Sequence, residues 1–448
     1  MSQKPFISGV IEGFYGTPWT LLERLALLDQ LKSASLNTYL YAPKDDLKHR
    51  SLWRELYSAQ EADELRKFIG ACQKRDLGFI YALSPGLDIH YADPAEFRGL
   101  TQKFEQLLAL GVNSFALLFD DIPDALSSSD REQFTSFASA QAHIANSALH
   151  WLTDRCSQAA LLFCPTAYCG RMASRHLGGE NYLATLGKEL LPEIDIFWTG
   201  PEIISREITV SHLRDVQNLL QRKPILWDNL HANDYDGRRF FCGPYSGRDR
   251  EIFERVGGIL VNPNSEFPLN YPLFRTLGRF IQSTGGWRPR EEYLAALHDW
   301  RPRFENGHFS ISEENLVMFF DCYYLPYEEG AEAEALYGDL EQLLASGNNS
   351  ATIGIDSVLQ RLTSLREFCV QLSEMRDRSL FYALSRRIWE LREELDLLER
   401  YIRALRLSDP ASFRSDFHLP GTYRGGFVPR LQQLLIQNAD GSFSATSV

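Results

Sequence analysis

The chain has 448 residues, 59 acidic and 46 basic, for a net charge of −13. That charge opposes nucleic acid and anionic lipid as partners, because both reward a positive field. The 44% hydrophobic content supports a large core, and no apolar run approaches the roughly 20 residues of a membrane span. Short apolar runs alternate with amphipathic stretches from the start of the chain. Strands are predicted at 6–12, 38–42, 78–83, 114–119, 161–164, 194–198, 224–227 and 258–261. Helices are predicted between most of them, at 19–32, 62–74, 95–110, 131–153 and 210–221. The stretch 229–257 lacks a clear helix. Strand–helix alternation implies a parallel sheet. Eight such units predict an α/β fold, a TIM-type (β/α)8 barrel over 1–286.

Residues 285–290 read as a linker. Beyond them the strand signal stops and helical periodicity begins. Val358, Leu362, Leu365, Cys369 and Leu372 repeat at three and four, as do Ile388, Leu391, Leu395, Leu398, Ile402 and Leu405. Stripes of this kind bury one helix face. An all-α helical domain is predicted over 287–408. The plainer reading of the stripes is internal packing; a homodimer through this domain is the sharper alternative. An irregular tail with Gly421, Gly425 and Gly426 is predicted over 409–448. The seven cysteines are odd in number and form no Cys-x-x-Cys pair. The first residues carry no long apolar stretch, so a reduced, cytoplasmic protein is expected.

The predicted strands end in polar residues. They are Glu12 to Gly16, Lys44 to Asp46, Ser84, Asp120-Asp121, Thr166 and Tyr168, Thr199, Trp227 to Asn229 with Asn233 and Asp234, and Asn262 to Asn264. In a parallel barrel these ends meet on one face. Acids, amides, one lysine and aromatic rings suit a neutral polyol: hydroxyls pair with the polar groups, and a ring walls the sugar's apolar side.

The sharpest signal is Asp120-Asp121 directly after a buried strand. A conventional glycosidase sets two carboxyls on opposite sides of the scissile bond. Adjacent residues at one strand end fall more naturally on the same side. A substrate that supplies its own nucleophile, such as a 2-acetamido group, removes that difficulty. One aspartate would then orient the acetamide, and the other would serve as acid and then base. Like charges this close should also separate in ionisation. A helix cap or loop ion pair is the plain alternative for a lone Asp-Asp. Asp45-Asp46 is the internal control, because Lys48, His49 and Arg50 follow and could neutralise it on a surface loop. Lys44 could donate to a sugar hydroxyl or pair with Asp45 or Asp46. Tyr168 and Trp227 could be core or pocket aromatics. Asn229, Asp234 and Asn262 could equally be turn residues or caps. No His-x-His, His-Glu-x-x-His or Cys cluster is present, so no metal and no cofactor are expected.

Taken together, Gly9 to Gly16, Tyr41 to Arg50, Tyr81 to Asp88, Ser114 to Asp121, Phe163 to Gly170, Trp198 to Pro201, Ile225 to Asp236 and Asn262 to Asn264 resemble glycoside hydrolase family 84. The resemblance is strongest to its members that remove O-linked N-acetylglucosamine from proteins, and it spans nearly the whole predicted barrel. It implies a retaining, metal-free, substrate-assisted β-N-acetylglucosaminidase, here a short intracellular bacterial member. It implies Asp120 as the acetamide-polarising residue and Asp121 as general acid/base. Gly9, Lys44, Asp234 and Asn262 would hold sugar hydroxyls. Tyr168, Trp227 and Asn229 would shape the acetamido pocket. The expected substrate is an O-GlcNAc-modified protein or a small N-acetylglucosaminide. The alternatives are a metal-dependent hydrolase or deacetylase, and a non-enzymatic O-GlcNAc-binding scaffold.

Overall fold

The computed structural model of the chain describes residues 4–346, 354–407, 409, 413–415 and 426–446. Eight strands form a closed, all-parallel barrel: β1 (Ile7–Glu12), β2 (Thr38–Tyr41), β3 (Gly78–Leu83), β4 (Ser114–Leu118), β5 (Ala160–Cys164), β6 (Asp195–Trp198), β7 (Ile225–Asp228) and β8 (Gly258–Val261). Each pairs with the next, and β8 closes on β1. Alternate residues point inward. Leu40 and Ala42, Ile80 and Ala82, Ala116 and Leu118, and Leu162 and Cys164 share one interior cluster. The intervening residues face the outer helices, as Tyr39 does on Phe68 and Phe115 on Phe104. Both faces are therefore buried, which is why the strands read as continuous apolar runs.

The helices begin where the sequence supplies caps. Thr20 and Ser58 form capping boxes with Glu23 and Glu61, and Asp93 caps the helix Pro94–Ala109. The helix predicted over 131–153 is two helices, Ser128–Gln133 and Phe137–Thr153. Ser136 breaks it: its side chain accepts from Ser139 N and starts a new helix. After β7 only a short 3-10 turn, Arg250–Glu254, precedes β8.

The chain divides into two compact units. One comprises 1–235, 245–267 and 277–287; the other comprises 236–244, 268–276 and 288–448. The second unit is mainly helical. Its helices Ile355–Leu372 and Arg378–Arg406 pack along each other and bury both predicted stripes. The tail expected to be irregular carries a helix, Phe427–Gln432, and a two-stranded antiparallel hairpin, Leu435–Gln437 with Phe443–Ala445. The buried side chains of Phe427, Val428, Leu431, Leu434, Leu435 and Phe443 organise it, a pattern the nearby glycines obscure. Gly421 and Gly425 lie outside the described residues. Among the described residues no helix is long and apolar enough to cross a membrane.

Candidate active site

The exit of β4 sets two neighbouring acids in different environments. Asp120 is buried and Asp121 is exposed. The chain turns between them through a left-handed Asp121, φ 52°. That conformation costs a non-glycine residue on the order of 1 kcal/mol, and aspartate is among those that tolerate it. Lys44 Nζ, from the β2 exit, lies 2.5 Å from Asp120 Oδ2, with side-chain exposures of 2% and 9%. Burial pushes the Asp120 carboxyl up. The Lys44 charge, its hydrogen bond and the Arg50 charge outweigh burial and hold it below the usual carboxylate range. The second oxygen, Asp120 Oδ1, is buried and has no donor among the described residues. An unpaired buried acceptor on an ionised group is costly.

Asp121 is held by phenols. Tyr168 donates to its Oδ1 at 2.8 Å and Tyr15 to its Oδ2 at 3.0 Å. Burial, followed by the Asp121 charge, pushes both phenols above their ordinary range. Tyr15 is itself fixed, its backbone N–H donating to Asp234 Oδ2 at 2.8 Å. Burial raises the Asp234 carboxyl above its ordinary value, against the opposing pull of that hydrogen bond. Arg50 donates to the Asp121 carbonyl at 3.0 Å, and its guanidinium carbon lies 5.8 Å from the Tyr15 ring centre.

Opposite these groups, β7 and β8 present a ring and two amides. Asn229 Oδ1 accepts from Trp227 Nε1 at 3.1 Å and from Asn262 Nδ2 at 3.0 Å. Asn229 Nδ2 donates to the Ile203 carbonyl. Asn262 Oδ1 is a second buried acceptor with no donor among the described residues. The Trp227 ring centre lies 5.8 Å from Lys44 Nζ, which connects this wall to the acids. Behind Asn229, Asp228 takes two hydrogen bonds from Arg248 and one from Tyr245, all fully buried. Arg248 also ties down the carbonyls of Ser205, Arg206 and Ser246.

The Asp45-Asp46 control turns out differently in detail. Asp46 is satisfied by the hydroxyls of Tyr41 and Tyr57, while Lys48 pairs with Glu61 and Arg50 reaches Asp121. The loop carrying them buries His49 and Arg50 and leaves Asp45, Leu47 and Leu52 exposed. Lys103, buried, donates to the carbonyls of Lys48 and Glu55. His49, buried, is bonded through Nδ1 to the Ala82 carbonyl, which fixes Nδ1 as its protonated nitrogen.

The structure thus groups Asp120, Asp121, Lys44, Tyr168, Trp227, Asn229, Asp234 and Asn262 at one end of the barrel. Gly9 stands apart from them. It sits mid-strand, paired with Thr38 and Leu260, and an added Cβ would meet the Thr38 carbonyl oxygen at 1.8 Å. Its glycine identity follows from strand packing. The glycine beside the pocket is Gly13, where a Cβ would meet the Trp227 ring at 2.6 Å. Tyr15, Arg50 and Gly13 were missed as individual site residues, although all three lie inside the quoted motifs. The available signal was their place past the carboxyl end of a barrel strand, one and three residues after β1 for Gly13 and Tyr15 and nine after β2 for Arg50. Among the described residues, no three His, Cys, Asp or Glu side chains form a group able to hold a metal ion.

A barrel with paired acids at one strand exit and an amide–indole wall beside them defines a carbohydrate-type site. The chain belongs to the beta-N-acetylglucosaminidase (NAGidase) family, whose sequence profile matches residues 8–319. It is 47% identical over 278 residues to the Protein O-GlcNAcase of Mus musculus and, equally, to that of Rattus norvegicus. Each alignment covers 62% of this chain and 30% of the relative, so the chain matches less than a third of those proteins' length. Among solved structures it resembles a mutant of the Thermobaculum terrenum O-GlcNAc hydrolase, with TM-score 0.78 and 31% identity over 88% of this chain and 83% of that one. It also resembles CpGH84B, with TM-score 0.75 and 25% identity over 89% and 69%.

Proposed function

We propose that the chain is a retaining exo-β-N-acetylglucosaminidase that removes O-linked GlcNAc from proteins or small glycosides through an oxazoline intermediate. The observation that carries this reading is Asp120. One oxygen is bonded to Lys44 and the other is a buried acceptor without a donor among the described residues, beside an exposed second acid. An acetamide N–H is a donor of the right kind for Oδ1. Held there, its carbonyl oxygen attacks the anomeric carbon as the glycosidic C–O bond breaks, and the amide proton is shared with the Asp120 carboxylate, which returns it to nitrogen when the ring reopens. The departing oxygen takes the Asp121 proton. Water then attacks the same carbon, yields a proton to the Asp121 carboxylate, and reopens the oxazoline with net retention.

Tyr168, Trp227 and Asn229 would enclose the acetamide. Lys44, Asp234 and Asn262 would hold ring hydroxyls, the free Asn262 Oδ1 accepting one of them. Gly13, rather than Gly9, would give the sugar room against the indole. The O-GlcNAc-protein substrate is supported by the names of the relatives.

The test is hydrolysis of aryl N-acetyl-β-D-glucosaminides with increasing acyl fluorination. A steep fall in rate as the acyl oxygen loses nucleophilicity is expected; a flat series would remove substrate assistance. Asp121→Asn should lose more activity on a poor leaving group than on a good one, and equal loss would remove its acid role.

A further inference from the structure

The chain takes a left-handed turn at the exposed Asp121, just past β4. There its carbonyl meets Arg50, whose side-chain NH2 group donates to it at 3.0 Å. Arg50 is buried, and the chain around it is pinned. Arg50 N donates to the Leu47 carbonyl, Ser84 N donates to the His49 carbonyl, and the His49 ring is bonded to the Ala82 carbonyl. The guanidinium therefore has a fixed origin on the β2–β3 side and a fixed target on β4. It touches the backbone of Asp121 and not its carboxylate. It also lies beside the Tyr15 ring, whose hydroxyl binds that carboxylate.

We propose that Arg50 is a positioning residue for Asp121: it holds the left-handed peptide and seats Tyr15, and so fixes the Asp121 carboxyl between Tyr15 and Tyr168. The inference rests on the acid/base role proposed above. A left-handed residue relaxes readily once its carbonyl loses its partner. Relaxation would swing the carboxyl away from both phenols, and misplacement by about 1 Å costs on the order of 100-fold in rate. Tyr168, on the β5 side, would stay in place and lose its acceptor. A purely structural tether between loops would act otherwise, lowering stability while every substrate slowed alike.

The experiment compares full-length wild type, Arg50→Met and Arg50→Lys on two aryl N-acetyl-β-D-glucosaminides, one with a good and one with a poor leaving group. Thermal unfolding is measured beside kcat and KM. Arg50→Met is expected to lower kcat at least tenfold more on the poor leaving group than on the good one, with KM within about threefold of wild type. Arg50→Lys, which keeps the charge and one donor, is expected to recover part of the loss, and it carries the test if Arg50→Met does not fold. Equal loss on both glycosides, or a lowered melting temperature with unchanged kcat, overturns the inference. A wild type inactive on both glycosides overturns the functional reading and the inference with it. An active wild type with an unresponsive Arg50 pair overturns the inference alone.

Discussion

Lys44 and Asp120 form a buried ion pair that uses only half of the carboxylate: Oδ2 lies 2.5 Å from Lys44 Nζ, and Oδ1 has no donor among the described residues. Removing the cation leaves an uncompensated buried anion, a loss of about 3–5 kcal/mol. Lys44→Met should therefore unfold at clearly lower urea than wild type. Adding Asp120→Asn to it should restore part of the stability, though not the activity. A Lys44→Met protein with the wild-type urea midpoint would contradict the pair's energetic role.

The two phenols on Asp121 should be separable by kinetics. A hydrogen bond to a charged group is worth about 1.5–3 kcal/mol, so Tyr15→Phe and Tyr168→Phe should each lower kcat by about 10- to 100-fold. Tyr168 is the more buried of the two and should show the larger effect. Wild-type kcat in both variants would show that the carboxyl needs neither.

Gly13 and Gly9 make opposite predictions from the same chemistry. Gly13→Ala presses on the side chains of Trp227 and Ile11 rather than on backbone, and should fold while raising KM. Gly9→Ala presses on the Thr38 backbone in the barrel wall and should fail to give folded protein. Circular dichroism and KM together decide the matter. A wild-type KM in Gly13→Ala would remove Gly13 from the pocket.

Acid should weaken the barrel unit through His49. Burial, then the Lys44 charge, holds its imidazole down to about 4, against an ordinary 6.5. Between those values the unfolded chain takes up a proton that the folded one refuses. Stability is therefore intact above pH 6.5 and falls as pH drops towards 4, by about 3 kcal/mol at most. His49→Asn should flatten that slope in melting temperature against pH. An unchanged slope would show that His49 is not its source.

Glu394 in the helical unit should act in the reverse sense. Burial, against the hydrogen bond of Gln432 and the Arg238 charge, raises its carboxyl to about 7 from an ordinary 4.5. Here the folded state keeps a proton that the unfolded chain releases, so stability is intact below 4.5 and falls as pH rises towards 7. Glu394→Gln should gain up to about 3 kcal/mol above pH 7 and nothing below pH 4.5. Equal melting temperatures at pH 8 would contradict this.

The barrel was legible because its strands are buried on both faces and so stand out as apolar runs of strand length. Asp120 and Asp121 stood out for a related reason, since two acids directly after such a run fall where the strand exits meet. The break at Ser136 was hidden, because a serine inside a periodic stretch reads as an ordinary helix residue until its cap bond is seen. Arg50 was hidden by its neighbours: four residues after Asp46, it looked like a counter-ion. Two tyrosine hydroxyls had already satisfied Asp46 and released Arg50 to reach β4. Gly9 and Gly13 share a motif and differ only in which neighbour crowds them, and a one-dimensional string does not contain that distinction.

Tyr15 and Tyr168 hold Asp121 with groups that remain un-ionised through the neutral range, because burial and the Asp121 charge push both phenols above their ordinary pKa. A phenol oxygen can give its hydrogen to an anionic carboxylate or offer a lone pair to a protonated one. One of the two bonds can therefore reverse its polarity as the proton arrives and leaves, while the other phenol goes on donating and neither ring moves. A lysine or arginine in either place could only give, and would favour the charged half of the cycle over the other.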